Sequence, residues 1–374
     1  MSEKIVISLG KYYYPTKGGV EKVTKDIAEI VADVGFKSSV VSFDGQKKPF
    51  SHTNINGVNV IRYESFKIGP APFSWQFLKD ANSLFDKADL LITHYPNPLV
   101  EKALLKYDRN KRIILFYHSD LVGYNKIITQ WYNRHTKKLL EKVNVIISTS
   151  PNYVNSSKIL NHYTEKLRIV PLTINPKDFN LTKKYDFKNF SYKYKILFVG
   201  RFVKYKGVEY LIKAMKYLDQ NVGLVLVGGG PRYKLYKKLV KKEKITHRVF
   251  FILNPSNDDL KSIYNSADVF VLPSTMRSEA FGIASLEAMY AGLPIITTEL
   301  GTGTSFYNIQ KKTGIIVKPK DEREIAEAIE ISLKNKSEFG KNAKQVVETQ
   351  FVIDNFKTKI IEIIQDILIG NMLS

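Results

Sequence analysis

The chain contains no cysteine. Disulfide bonds, thiolate metal sites, iron–sulfur clusters and cysteine nucleophiles are therefore excluded, and the composition suits a reducing compartment. No apolar run approaches the roughly 18 residues that a membrane-spanning helix needs, and the first residues lack the basic start and small-residue cleavage site of an export signal. We therefore expect a cytoplasmic protein.

Acidic residues are scarce beside basic ones: 36 Asp and Glu oppose 57 Lys and Arg, which gives a net charge of +21. Such a charge attracts phosphate-bearing partners, so nucleic acid, a phospholipid surface and a nucleotide substrate all stay open. The densest basic run, residues 234–244, has the spacing of the solvated face of an amphipathic helix. The charge by itself therefore selects no partner.

The 374 residues exceed the size of one hydrophobic core, and their pattern predicts two domains. Strands and helices alternate through residues 1–177 and again through residues 194–350, separated by a polar linker at 178–193. Because strand, helix, strand at this spacing builds a parallel sheet, we predict an α/β protein with two Rossmann-like, doubly wound domains facing a central cleft. A last apolar stripe predicts that residues 351–374 form a helix packing across both domains.

Glycines and cations follow the first strand of each predicted domain. Gly18 and Gly19 precede a helix, whose free amides can hold a phosphate. Arg201 and Lys206, five positions apart, could neutralise a diphosphate, although both could also be surface cations. Residues 228–230 are three glycines without the last glycine of G-x-G-x-x-G, which disfavours a nicotinamide site.

Residues 273–289 (PSTMRSEAFGIASLEAM) carry the most informative pattern. A strand ends, a loop presents Glu279, and a helix begins near Phe281 or Gly282 with its amides at the ligand edge of the sheet. Glu287 lies one to two turns into that helix, where a carboxylate could accept hydrogen bonds from paired sugar hydroxyls. The two glutamates are eight positions apart.

This stretch resembles the E-x7-E signature of the retaining glycosyltransferases of family 4, which have the GT-B fold. The similarity extends to ILFVGRFVKYKGVEYLIKA, LVLVGGGP and YYYPTKGGVEKV, and it covers nearly the whole chain, most specifically residues 197–317. The resemblance implies that Glu279 contacts hydroxyls of the transferred sugar and Glu287 the nucleotide ribose. It also implies that Arg201 and Lys206 stabilise the departing diphosphate, and that His118 faces the sugar near the acceptor.

By the same resemblance, the catalytic residues are His118, Arg201, Lys206 and Glu279. The implied donor pocket consists of Gly18, Gly19, Arg201, Lys206, Glu279, Phe281, Gly282, Ile283, Ala284 and Glu287. The family pattern is not followed everywhere: residues 171–175 read PLTIN where P-L-G-I-D is frequent, Gly229 replaces a frequent acidic residue, and Asn254 stands where glycine is frequent. We therefore carry over no base specificity.

The implied activity is retaining transfer of a sugar from a nucleotide diphosphate sugar to a hydroxyl acceptor, lipid-linked or not, in glycan, glycolipid or polysaccharide synthesis. No D-x-D triplet occurs in the chain, so we expect no metal and no cofactor. A lipid acceptor would bring the protein to the anionic inner face of the membrane, and the aromatic residues of segment 66–85 either touch that interface or pack internally.

Two other classes of function compete with this interpretation. A nucleotide-sugar epimerase or a phosphorylase would use the same fold. A non-enzymatic, basic nucleic-acid-binding protein would fit the charge. The sequence has no stacking-aromatic motif, zinc-ligand spacing or recognition-helix pattern, so we expect no nucleic acid partner.

Overall fold

The computed structural model describes residues 4–16, 18–43, 51–68, 71–121, 126–179, 183–188 and 190–369. The chain forms two compact units. The first consists of Met1–Thr149, Ser157–Pro171 and Asp354–Ser374, and the second consists of Ser150–Ser156 and Leu172–Ile353.

Within the described ranges there are sixteen strands. They are β1 (Ile5–Leu9), β2 (Lys37–Phe43), β3 (Ser51–Ile55), β4 (Val58–Tyr63), β5 (Phe66–Ile68), β6 (Ala71–Phe73), β7 (Leu90–Tyr95), β8 (Arg112–Tyr117), β9 (Val145–Ser148), β10 (Leu167–Ile169), β11 (Tyr194–Val199), β12 (Val222–Val227), β13 (Val249–Ile252), β14 (Val269–Leu272), β15 (Ile295–Thr298) and β16 (Gly314–Val317).

The same ranges contain twelve α-helices. They are α1 (Gly19–Asp33), α2 (Trp75–Lys87), α3 (Pro98–Lys106), α4 (Lys126–Lys142), α5 (Pro151–Ser156), α6 (Val208–Ala214), α7 (Tyr233–Lys242), α8 (Asn257–Tyr264), α9 (Ile283–Tyr290), α10 (Glu322–Lys334), α11 (Lys336–Gln350) and α12 (Ile353–Ile369).

The first unit is built on an eight-stranded sheet in the order β10-β9-β8-β7-β1-β2-β4-β3. Its pairs are parallel except for β3, which runs antiparallel to β4 at the edge. The central strands are buried along nearly their whole length, as β7 and β8 show, because helices cover both faces of a parallel sheet. The short strands β5 and β6 form a separate antiparallel hairpin.

The second unit contains a six-stranded, wholly parallel sheet in the order β13-β12-β11-β14-β15-β16. The chain winds to one side of β11 through β12 and β13, and then to the other side from β14 onward. The prediction of two Rossmann-like α/β halves is confirmed. The reversal between β11 and β14 is the topological switch point, where ligands bind in open parallel sheets.

The division of the chain differs from the expected one, because the second unit takes in Ser150–Ser156 and its long segment, from Leu172, includes the residues predicted as a linker. Ile174 explains this: its amide donates to the Phe351 carbonyl and its own carbonyl accepts from the Ile353 amide, both at 2.9 Å. Phe190, inside the expected linker, is buried with its ring centroid 5.3 Å from that of Phe250. From Asp354 onward, the last helix is part of the first unit.

The basic run at residues 234–244 lies on helix α7 as far as Lys242, as predicted. Tyr236 and Val240 are buried, whereas the lysines of the run lie exposed on the opposite face. These lysines therefore contribute charge to the surface and no side chain to the core. Across the described ranges, no helix combines the length and apolar character required to span a membrane.

Candidate active site

The switch point of the second sheet brings Lys206 and Glu279 together. Lys206 follows β11 and Glu279 follows β14, and the Lys206 Nζ lies 2.6 Å from the Glu279 Oε2. The Ser274 hydroxyl donates to the same carboxylate oxygen at 2.8 Å. Only 11% of the lysine side chain and 7% of the glutamate side chain are exposed, so this is a largely buried, hydrogen-bonded ion pair.

The pair forms because the two loops approach each other very closely. Gly207 has φ +64°, and a Cβ atom at this position would lie 2.1 Å from the Pro273 carbonyl oxygen. Only glycine fits such a backbone contact in the left-handed region. Next to it, the Thr275 amide donates to the Tyr205 carbonyl at 2.7 Å, which fixes one loop against the other.

The electrostatics of the pair keep Lys206 charged. Burial is the largest single influence and acts to lower the pKa of Lys206, but the charge and hydrogen bond of Glu279, together with the neighbouring Tyr205, raise the pKa above its usual value. The Arg201 side chain is exposed and forms no hydrogen bond or ion pair with the described residues, yet it lies close enough to oppose the charge of Lys206. Two cations therefore face one carboxylate, and the site retains net positive charge for an anionic ligand.

Helix α9 begins directly after this pair. Gly282 caps its N-terminus with φ +88°, and a Cβ atom there would lie 2.6 Å from the Leu272 side chain. Phe281 is buried against the Tyr307 ring, and the Tyr307 hydroxyl donates to the Phe281 carbonyl at 2.7 Å. These contacts fix the first turn, where Ile283 and Ala284 contribute helix N-terminal amides that can hold negative charge.

Glu287 lies farther along α9 and is held by Tyr264. The Tyr264 hydroxyl donates to the Glu287 Oε2 at 2.8 Å. Burial, followed by the neighbouring Glu287 charge, raises the pKa of Tyr264 well above its usual value, so the phenol stays a hydrogen-bond donor. No sequence pattern singles out Tyr264 or Ser274, since a single hydroxyl carries no motif.

The remaining predicted residues belong to the first unit. Gly18 caps the N-terminus of α1 with an extended backbone (φ 176°), and both Gly18 and Gly19 are exposed. His118 comes immediately after β8, and its Nε2 lies 2.9 Å from the Nδ1 of His94. The second unit thus brings Arg201, Lys206, Glu279 and the start of α9 together. The first unit places a glycine cap at the start of α1 and a histidine pair where β7 and β8 end.

Gly229 and Asn254, which both depart from the family pattern, lie beside each other. A Cβ atom on Gly229 would be 3.5 Å from the Asn254 side-chain oxygen. Asn254 adopts the left-handed conformation, φ 49°, at a position where the family often has glycine. Asparagine tolerates this conformation better than most residues, so the replacement keeps the turn and adds an amide side chain.

Comparison with known proteins identifies the class of fold. The structure is similar to sucrose-phosphate synthase from Thermosynechococcus elongatus, with a TM-score of 0.80 at 21% identity over 98% of this chain and 100% of the other. It is also similar to Anabaena Alr3699/HepE, solved in complex with UDP and glucose, with a TM-score of 0.76 at 16% identity over 97% and 100%. The fold is GT-B.

Sequence comparison identifies the family. Residues 17–178 match the model of Glycosyltransferase Family 4, and residues 182–347 match that of Glycosyl transferases group 1. The O-antigen chain mannosyltransferase C of Escherichia coli is 29% identical over 94% of this chain and 95% of its own length. The chain belongs to the group 1 and family 4 glycosyltransferases and is an enzyme of that class.

Proposed function

We propose that the enzyme transfers a sugar, with retention of configuration and without a metal ion, from a nucleoside diphosphate sugar to a hydroxyl acceptor. The observation that carries this proposal is the buried Lys206–Glu279 pair beside Arg201 at the switch point of the second sheet. The pair combines a cation for a diphosphate with a carboxylate for sugar hydroxyls. A similar fold has been solved with UDP and glucose.

In the proposed reaction, the bond between the sugar C1 and the diphosphate oxygen breaks while the acceptor oxygen bonds to C1 on the same face. Arg201, Lys206 and the amides at the start of α9 stabilise the charge that develops on the diphosphate. The acceptor proton passes to an oxygen of the departing phosphate. No side chain serves as a nucleophile. The roles that the family resemblance gives to Gly18, Gly19 and His118 stay predictions.

The proposed acceptor is a growing glycan, carried on a lipid. The support is the likeness to an enzyme named for O-antigen chain synthesis, which spans nearly the whole of both chains. The donor base and sugar are left open, because Gly229 and Asn254 depart from the family pattern. A transfer assay therefore has to test several bases.

We expect one nucleotide sugar of a panel to be consumed only when a hydroxyl acceptor is added, at the same rate with and without excess chelator. The matching donor at ~100 times its dissociation constant should also stabilise the fold by about 2.7 kcal/mol. Consumption without an acceptor would favour an epimerase. Activity that chelator abolishes and magnesium or manganese restores would contradict the metal-independent mechanism.

The proposal extends to an anionic membrane surface as the partner that presents a lipid-linked acceptor. Three large apolar side chains are exposed where the β5–β6 hairpin meets α2: Phe66 (52%), Ile68 (58%) and Trp75 (65%). Phe73 joins them, with ring centroids 5.3 Å from Phe66 and 4.8 Å from Trp75. We call these four residues the apolar ridge. The exposed lysines on the hairpin and beside Trp75 are Lys67, Lys79, Lys102 and Lys106.

We expect the protein to bind vesicles that contain phosphatidylglycerol through the apolar ridge. At the same salt concentration, it should not bind vesicles made only of phosphatidylcholine. Each lysine near an anionic surface contributes about 1 kcal/mol, so the double variant Lys102→Gln/Lys106→Gln should weaken partition roughly 30-fold. The control is Lys237→Gln/Lys238→Gln on α7, which removes the same charge elsewhere. Equal weakening by both double variants would mean that the total charge of the protein, not the lysines beside the apolar ridge, governs binding.

A further inference from the structure

His94 is a fully buried residue on β7 that makes an unusual contact with His118. Only 2% of His94 is exposed, and its ring stacks on Phe116 at a centroid distance of 5.4 Å. Its Nδ1 lies 2.9 Å from the Nε2 of His118, and the two ring planes are within 13° of each other. The other ring nitrogen of His94, Nε2, is buried without a hydrogen-bond partner in the described part of the chain.

Both rings are uncharged at neutral pH. Burial lowers the pKa of His94 well below its usual value, with a further contribution from His118, and burial lowers the pKa of His118 to about 4. A neutral imidazole carries one N–H and one lone pair. The contact between the two rings therefore contains a single proton, which belongs to one ring or to the other.

The surroundings of His94 decide which ring carries that proton. If His118 donates from Nε2, His94 must carry its own proton on Nε2, where a buried N–H would have no acceptor. If His94 donates from Nδ1, its Nε2 is left with only an unused lone pair. Buried N–H groups without a partner are rarer than acceptors that are not fully used. The second arrangement is therefore favoured.

We propose that His94 is a positioning residue, which donates its Nδ1–H to the Nε2 of His118 and so places the proton of His118 on Nδ1. The backbone amide of His118, which donates to the Tyr95 carbonyl at 3.0 Å, fixes the same segment. His118 then offers a hydrogen-bond donor, rather than a base, to an oxygen of the sugar substrate. This last step rests on the proposed function, whereas the arrangement of the two histidines does not.

Nitrogen NMR of the full-length protein labelled at histidine tests the arrangement directly, because protonated and unprotonated ring nitrogens have well-separated chemical shifts. The chain has only 6 histidines, and His118→Asn and His94→Leu assign the relevant signals. We expect His118 to carry its proton on Nδ1 near neutral pH. In His94→Leu, the tautomer of His118 protonated on Nε2 should become populated. A native His118 protonated on Nε2 would overturn the proposal.

Enzyme kinetics test the positioning role. In His94→Asn the side-chain nitrogen occupies nearly the place of the ring Nδ1 and can still donate, whereas His94→Leu fills the space without a donor. We expect kcat/KM to fall roughly 10-fold in His94→Leu, about the value of one hydrogen bond, and to recover most of that loss in His94→Asn. The exposed His162 gives a control, since His162→Asn should leave kcat/KM unchanged.

Together, the NMR and kinetic measurements distinguish a failure of the proposed function from a failure of the histidine arrangement. A protein that transfers no sugar but shows His118 protonated on Nδ1 would contradict the proposed function and retain the histidine arrangement. Equal losses in His94→Leu and His94→Asn, with an unchanged His118 tautomer in both, would reduce His94 to a packing residue and overturn the proposal. If His94→Leu does not fold, the spectrum of the native protein still decides where the proton lies.

Discussion

Replacing Lys206 with methionine is expected to lower kcat by roughly 10² or more, because the departing diphosphate loses a buried positive charge that is already in place before the reaction. The exposed Lys204, two positions earlier, gives the control: Lys204→Met removes the same charge and should leave kcat unchanged. Steady-state transfer assays on both variants make the comparison. An unchanged kcat in Lys206→Met would mean that the lysine only pairs with Glu279.

The buried pair complicates this experiment in a way that can be controlled. Lys206→Met leaves the Glu279 carboxylate with the Ser274 hydroxyl but without its cation, and breaking a buried pair typically costs 3–5 kcal/mol. The double variant Lys206→Met/Glu279→Gln removes both charges. It should regain much of the lost stability in denaturant unfolding while transfer stays slow. A double variant that regains activity as well would show that the single variant lost rate through its fold.

Much of the fold could be predicted because its signals are local. Buried strands such as β8 and β12 are continuous apolar runs, and the helices between them carry apolar stripes, so periodicity alone predicts the alternation. The extent of the units could not be predicted in the same way. The pattern of residues 178–193 is polar and predicts a linker, yet Phe187 and Phe190 are buried in the structure. Two aromatic side chains are enough to anchor a polar segment, and periodicity does not detect them.

The candidate site was predicted residue by residue, but its connections were not. Lys206 and Glu279 were each singled out at a strand end, whereas their ion pair depends on a close approach of two loops at Gly207 that no short pattern encodes. Ser274 and Tyr264 hold the two glutamates through single hydroxyls, which carry no motif. Residue type thus indicated the chemistry, and the sheet topology decided which residues meet.

The two glutamates should respond differently to the same substitution. Glu287→Gln should raise the dissociation constant of the donor roughly 10- to 100-fold, because a hydrogen bond to a charged group contributes about 1.5–3 kcal/mol, and it should change kcat little. Tyr264 can still donate to the amide oxygen, so the fold should keep its stability. The effect should fall on binding, because the ribose contact that the family resemblance gives to Glu287 is the same in the ground state and the transition state.

Glu279→Gln should instead lower kcat by roughly 10² or more, because contacts to the transferred sugar strengthen as its ring gains positive charge. It also leaves Lys206 buried with a neutral partner, so some loss of stability is expected with it. Asp268→Asn gives the matched control: this carboxylate directly precedes β14, at the end of the strand remote from Glu279, and pairs with Lys336, so its loss should lower stability without slowing transfer. If both glutamine variants bind nucleoside diphosphate and transfer sugar like the parent enzyme, the eight-residue spacing has no catalytic meaning.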